Sequence, residues 1–169
     1  MTYPNVFRKC TNFRQIGLMH LLLVINLFLL SPISRAQPRT IDSSSHHLRT
    51  SSQPEWDEFV NKVPKKELSI SFEIKNKTEH TLSLIQSDVK QDWNVFLNEQ
   101  KIGSLVTDGN KMRVYFRLMP EILRTGENNL RIKTETDIAD DIVISDITLD
   151  ERPLEKVLTE ATLDIEEVD

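Results

Sequence analysis

Three groups of side chains in this 169-residue chain have types and spacing that could do chemistry. The first lies in Ser87–Leu105, SDVKQDWNVFLNEQKIGSL, where Trp93 stands among Asp92, Asn94 and Asn98. A ring beside carboxylate and amide groups is the make-up of a small-ligand site, with the ring stacking on a sugar or other flat ligand and the polar groups fixing its orientation. The second is the acidic set Asp137, Asp140, Asp141, Asp146, Asp150 and Glu151. Calcium needs six to eight oxygens from converging loops, and no EF-hand pattern runs through these residues, so a solvated acidic edge is expected. The third is the pair His46-His47, which sits in a polar tract without a ligand set at metal-site spacing and reads as solvated.

No further chemistry follows. His80 is the one histidine expected inside the folded region, which leaves no H-x-H or H-E-x-x-H pair for a catalytic metal. There is no G-x-S-x-G elbow, and the single cysteine is Cys10 near the N-terminus. The glycines of GSLVTDGNK, Gly103–Lys111, have the wrong spacing for a phosphate loop, so that stretch reads as a hairpin connection. Asn76-Lys77-Thr78 fits a glycosylation acceptor. The inventory predicts a non-enzyme that needs no cofactor and no metal.

The N-terminus explains how the chain travels. Arg8, Lys9 and Arg14 precede an apolar run from Leu18 to Leu30, followed by SPISRA with small Ser34 and Ala36, the pattern of a secretory signal peptide cut after Ala36. A run of 13 residues that includes His20 and Asn26 is short for a spanning helix, which wants about 20 apolar residues. The expected location is therefore secreted or periplasmic, with no membrane contact after cleavage. Removing residues 1–36 takes away four of the 21 basic residues and none of the 26 acidic ones, leaving a net charge of −9. Such a chain is repelled by nucleic acid and by anionic lipid. The exported chain has no thiol, so its stability must come from a hydrophobic core.

Residues 37–53, QPRTIDSSSHHLRTSSQ, are serine-rich and aperiodic, and read as a flexible linker. In PEWDEFVNKV, Trp56, Phe59, Val60 and Val63 follow a helical spacing behind Pro54, so a short amphipathic turn is expected. From Leu68 the period becomes two. Leu68, Ile70, Phe72 and Ile74; Leu82 and Leu84; Trp93, Val95 and Leu97; Ile102 and Leu105; Met112, Val114, Phe116 and Leu118; Leu130 and Ile132; and Ile142, Ile144, Ile147 and Leu149 mark seven or eight short strands. The fold class is all-β, an antiparallel β-sandwich over residues 54–158. Asp108-Gly109-Asn110 is turn chemistry, and Pro120–Arg124 reads as one helical turn ending near Gly126. Trp93 shares a face with Val95 and Leu97, which makes it a core residue in one reading and an exposed stacking ring in the other.

The order WNVFLNEQKIGSL, VYFRLMPEILRTGENNLRI and DDIVISDITLDERPLEKVL resembles the galactose-binding-type jelly roll. There a tryptophan strand leads into an Asn-Gly type hairpin; here Glu99 takes the glycine position, which implies a looser turn. EHTLSLIQSDVKQDWNVFLNEQKIGSLV and the DDI…RPLEKVLTEAT ending resemble the N-terminal domain of secreted bacterial metallohydrolases of the carbaryl-hydrolase-like (CehA/McbA) type, from about Glu67 to the end. The resemblance implies a sandwich that precedes a histidine-rich PHP-type metal domain, with residues 159–169 as the truncated first strand of that next domain. No metal-binding histidine of the family falls within this chain. The expected function is an exported non-catalytic accessory domain, whose partner is a catalytic domain or another polypeptide met through the C-terminal strand. The alternative is a free-standing carbohydrate-binding module that holds a glycan through Trp93, Asp92, Asn94 and Asn98.

Overall fold

The computed structural model describes residues 37–55 and 63–166. The amphipathic turn expected around Trp56, Phe59 and Val60 and the leader through Ala36 fall outside the described residues. The elements are β1 (Arg39–Asp42), β2 (His46–Arg49), β3 (Glu67–Ile74), β4 (His80–Ser87), β5 (Asn94–Leu97), β6 (Gln100–Ser104), β7 (Met112–Leu118), β8 (Gly126–Lys133), β9 (Asp141–Asp150) and α1 (Leu154–Glu166). One sheet runs β1-β9-β4-β7, with β2 also paired to β9; the other runs β3-β8-β5-β6, and every pair is antiparallel. If β1 and β2 are counted as one interrupted strand, the sheets are ordered first-eighth-third-sixth and second-seventh-fourth-fifth. That interleaving is the jelly roll.

The period-two pattern explains why the sheets face each other. Leu82 and Leu84 of β4, Val114, Phe116 and Leu118 of β7, and Ile142, Ile144, Ile147 and Leu149 of β9 are buried from one side. Leu68, Phe72 and Ile74, Val95 and Leu97, and Leu130 and Ile132 are buried from the other. Each such side chain contributes about 1.5–3 kcal/mol relative to exposure. The sheets pack tightly at Gly103, where an added Cβ would lie 2.9 Å from the Phe116 ring. Gln86, also fully buried, is satisfied by the Val106 backbone: its amide donates to the Val106 carbonyl, and its Oε1 accepts the Val106 N–H at 3.1 Å.

Four expectations are corrected. Residues 37–53 are not a flexible linker throughout, because β1 and β2 lie within them and add to the edge of β9. Their backbone groups gain ladder partners there, and Leu48 is fully buried. The β5–β6 turn is tight rather than loose. Leu97 pairs with Gln100 across a two-residue loop, and Asn98 and Glu99 both have positive φ, 48° and 71°. That is the twist of a type I′ hairpin. Pro120–Arg124 makes a turn closed by the Ile122 N–H on the Met119 carbonyl at 3.2 Å, not a helical turn. Finally, residues 159–166 continue a helix and not a strand, since α1 starts at Leu154 behind Pro153 and places Leu154, Val157, Leu158 and Ala161 three and four apart. The Glu79 carboxylate accepts the Leu154 N–H at 3.2 Å, and Arg117 pairs with Glu79 and Glu155, fastening the start of α1 against β4 and β7.

Candidate functional site: a groove on the five-stranded sheet

Core-facing residues of β4, β7 and β9 alternate with outward ones, and the register stacks the outward set into rungs. Ser83 lies between Tyr115 and Thr148, and Thr81 lies between Arg117 and Asp150. Over these rungs a groove of about 270 Å³ is lined by Pro38, Thr81, Ser83, Arg113, Tyr115, Thr148, Asp150, Arg152 and Val157.

The floor is a connected set of polar groups. Ser83 Oγ and Thr148 Oγ1 share a hydrogen bond of 2.7 Å, and Arg113 Nη1 donates to Ser83 Oγ at 3.0 Å while its Nη2 reaches Asp146. Arg152 grips Asp150 through both forks, Nε to Oδ1 at 2.9 Å and Nη2 to Oδ2 at 2.6 Å, and donates Nη1 to Glu160 of α1 at 2.5 Å. The Asp150 bond holds the Arg152 guanidinium above its ordinary range. Thr81 Oγ1 donates to the Arg152 carbonyl at 2.8 Å. Two features leave room for a ligand. Among the described residues the Tyr115 hydroxyl has no partner and only two of the five N–H groups of Arg113 are engaged. Pro38, Val157 and the Tyr115 ring provide apolar walls.

The residues singled out from the sequence stand elsewhere. Trp93 is fully buried, and its Nε1 donates to Asp140 Oδ2 at 2.8 Å, so its core reading holds and its reading as an exposed stacking ring is corrected. Asp92 is exposed, but its carbonyl is taken by Thr134 Oγ1 at 2.6 Å. Asn94 faces out from β5, and its Oδ1 accepts from Ser104 Oγ at 3.0 Å. Asn98 is a staple: its Nδ2 donates to the Ile122 carbonyl and to Asn128 Oδ1, both at 2.8 Å, and its Oδ1 accepts the Asn129 N–H at 3.0 Å. The four do not converge on one cavity.

The acidic set is not one solvated edge either. Asp140 and Asp141 are fully buried and Asp150 nearly so, while Asp137 and Glu151 are exposed. Beside Trp93, Asp140 Oδ2 takes the N–H groups of Gln91 at 2.9 Å and Lys90 at 3.4 Å. Asp141 Oδ2 accepts the Glu55 N–H at 2.5 Å, and Glu55 Oε2 returns a bond to the Asp141 N–H at 3.1 Å and holds Lys90 Nζ at 2.8 Å. Asp141 Oδ1 faces His47 Nε2 at 3.4 Å and Arg49 Nε at 4.0 Å. N–H groups thus engage Oδ2 of each buried carboxylate, Arg49 and His47 lie beside Asp141 Oδ1, and the cluster ties the start of β9 to β2 and to the 88–93 segment. His46 and His47 are not free in solvent, His46 Nε2 lying 3.0 Å from Asp42 Oδ2. Among the described residues no group of three or more His, Cys, Asp or Glu side chains is arranged to hold a metal ion.

No family model matches the chain, and no curated protein matches it. The carbaryl-hydrolase-like resemblance therefore rests on the residues quoted for it. Among solved structures, the chain is similar to the exo-beta-1,3-galactanase from Phanerochaete chrysosporium, crystallised with beta-1,3-galactotriose. The identity is 14%, the TM-score 0.35, and the match covers 66% of this chain and 29% of the galactanase. A likeness that distant transfers neither a site nor a substrate.

Proposed function

We propose that this chain is an exported, non-catalytic β-sandwich module that binds carbohydrate in the groove of its five-stranded sheet. The observation that supports this best is Tyr115, a half-buried ring with an unpartnered hydroxyl beside a floor of Ser83, Thr148, Arg113 and Asp150. A sugar presents an apolar ring face and a rim of hydroxyls that both donate and accept. The aromatic ring takes the first, and the hydroxyl, guanidinium and carboxylate groups take the second. The binding site of the carbohydrate reading thus moves from the 92–98 segment to the sheet face. An accessory place ahead of a PHP-type metallohydrolase domain rests on the sequence resemblance; there the sandwich would hold a glycan while the partner domain acts. Glycan-array screening of the chain from Gln37 onward tests the proposal, with Tyr115→Ala as control. Binding that Tyr115→Ala abolishes in a folded protein supports it, and binding that survives the substitution refutes it.

A further inference from the structure

The two ends of the groove differ. At the Thr81–Asp150 rung, Val157 of α1 lines the groove beside Arg152, and α1 is fastened there through Arg152 to Glu160 and Arg117 to Glu155. The other end leads along the same strands to Arg113, opposite Ile85 of β4. Nothing among the lining residues crosses that end. The groove is therefore walled by α1 at the Thr81–Asp150 end and lined by the sheet at the Arg113 end, its mouth. Its volume of about 270 Å³ is just under the roughly 300–1,000 Å³ of sites for drug-sized ligands, which suits one sugar ring and not a run of several.

The mouth is also where the backbone departs from the regular ladder. Ser83 pairs with Thr148 but Ile85 pairs with Ser145, so β9 slips its register and Asp146 bulges with φ 47°. A bulge re-aims a side chain, and strained backbone of this kind clusters at functional sites. Here the bulge brings the Asp146 carboxylate to Arg113 Nη2, while Arg113 Nη1 is held by Ser83 at 3.0 Å. A guanidinium fixed at two of its nitrogens presents its remaining N–H groups in one direction, which suits recognition of a particular hydroxyl arrangement.

We propose that the groove captures the end of a glycan, seating one terminal ring, and that Arg113 is the specificity-determining residue, with Asp146 as its positioning residue; this rests on the carbohydrate-binding reading above. The test is calorimetric titration with D-galactose, D-glucose, D-mannose and N-acetyl-D-glucosamine, then with the β-linked di-, tri- and tetrasaccharides of whichever binds. The expected result is one preferred sugar, with the tetrasaccharide no more than about threefold tighter than the disaccharide, as one ring's contacts dictate. Arg113→Lys keeps the charge and loses the fork. It should lower affinity about tenfold and level the ranking among the four sugars at an unchanged melting temperature, and Asp146→Asn should shift the ranking the same way more weakly. Affinity that climbs tenfold or more with chain length, or a ranking indifferent to Arg113→Lys, overturns end capture or the role of Arg113 while leaving carbohydrate binding standing. Failure of all four sugars to bind overturns both.

Discussion

Replacing Trp93 by Phe separates a structural tryptophan from a ligand platform. Trp93 has no solvent exposure, packs in the core and donates Nε1–H to Asp140 Oδ2 at 2.8 Å. Phenylalanine keeps an aromatic ring but loses the N–H and part of the volume. Losing a hydrogen bond to a charged group costs about 1.5–3 kcal/mol. Full truncation of a buried large aromatic costs about 3–5 kcal/mol, and the smaller loss of volume here contributes about 1 kcal/mol of that kind. The Gln91 N–H on the same oxygen, at 2.9 Å, keeps the carboxylate partly satisfied, which favours the lower end, so Trp93→Phe should destabilise by about 2.5–3.5 kcal/mol. A domain stable by about 5–15 kcal/mol survives that. Urea denaturation reads it as a lower midpoint at constant slope. A double-mutant cycle with Asp140→Asn should return about 1–2 kcal/mol of coupling. A loss below about 0.5 kcal/mol, or loss of sugar binding in a protein of unchanged stability, refutes the core assignment.

Other outcomes follow from particular contacts. Glu99 sits at φ 71° and is partly compensated by its 2.5 Å ion pair with Arg131, so Glu99→Gly should stabilise by about 0.5 kcal/mol in thermal melts. Gly103→Ala places a methyl 2.9 Å from the Phe116 ring and should destabilise by about 1–3 kcal/mol, with partial rescue by Phe116→Leu. The Arg131 guanidinium hydrogen-bonded to Glu67 holds that carboxyl below its ordinary value of 4.5, and the Ser44 backbone N–H holds Asp42 below 3.8. Both groups thus add stability that is fully present above those values and is lost as pH falls through the lower folded ones. Glu67→Gln should flatten the decline in melting temperature that begins near pH 4.5, by well under 1 kcal/mol because the pair is surface-screened.

Much of this architecture was legible because strand alternation is a property of single segments. The apolar positions of β3, β4, β7, β8 and β9 point inward as their spacing requires. β1 and β2 escaped because RTID and HHLR carry one apolar residue each, and they become strands through pairing with β9, a long-range gain invisible in a window of four residues. The C-terminal segment misled because Ala161, Leu163 and Ile165 alternate locally, while the longer spacing from Leu154 through Val157, Leu158 and Ala161 is helical. The groove lay in the polar half of the alternation: Thr81, Ser83, Arg113, Tyr115, Thr148 and Asp150 read as outward residues, but only the register puts them side by side. Asp140 meeting Trp93 across 47 positions had no sequence signal beyond the indole's need for an acceptor.

Chemical-shift mapping of the isotope-labelled protein with the preferred monosaccharide tests the sheet-face site most directly. The largest backbone shifts should cluster on Thr81, Ser83, Arg113, Tyr115, Thr148 and Arg152, with residues 91–99 undisturbed. Shifts centred on Asp92, Asn94 and Asn98, or none up to millimolar sugar, would contradict it.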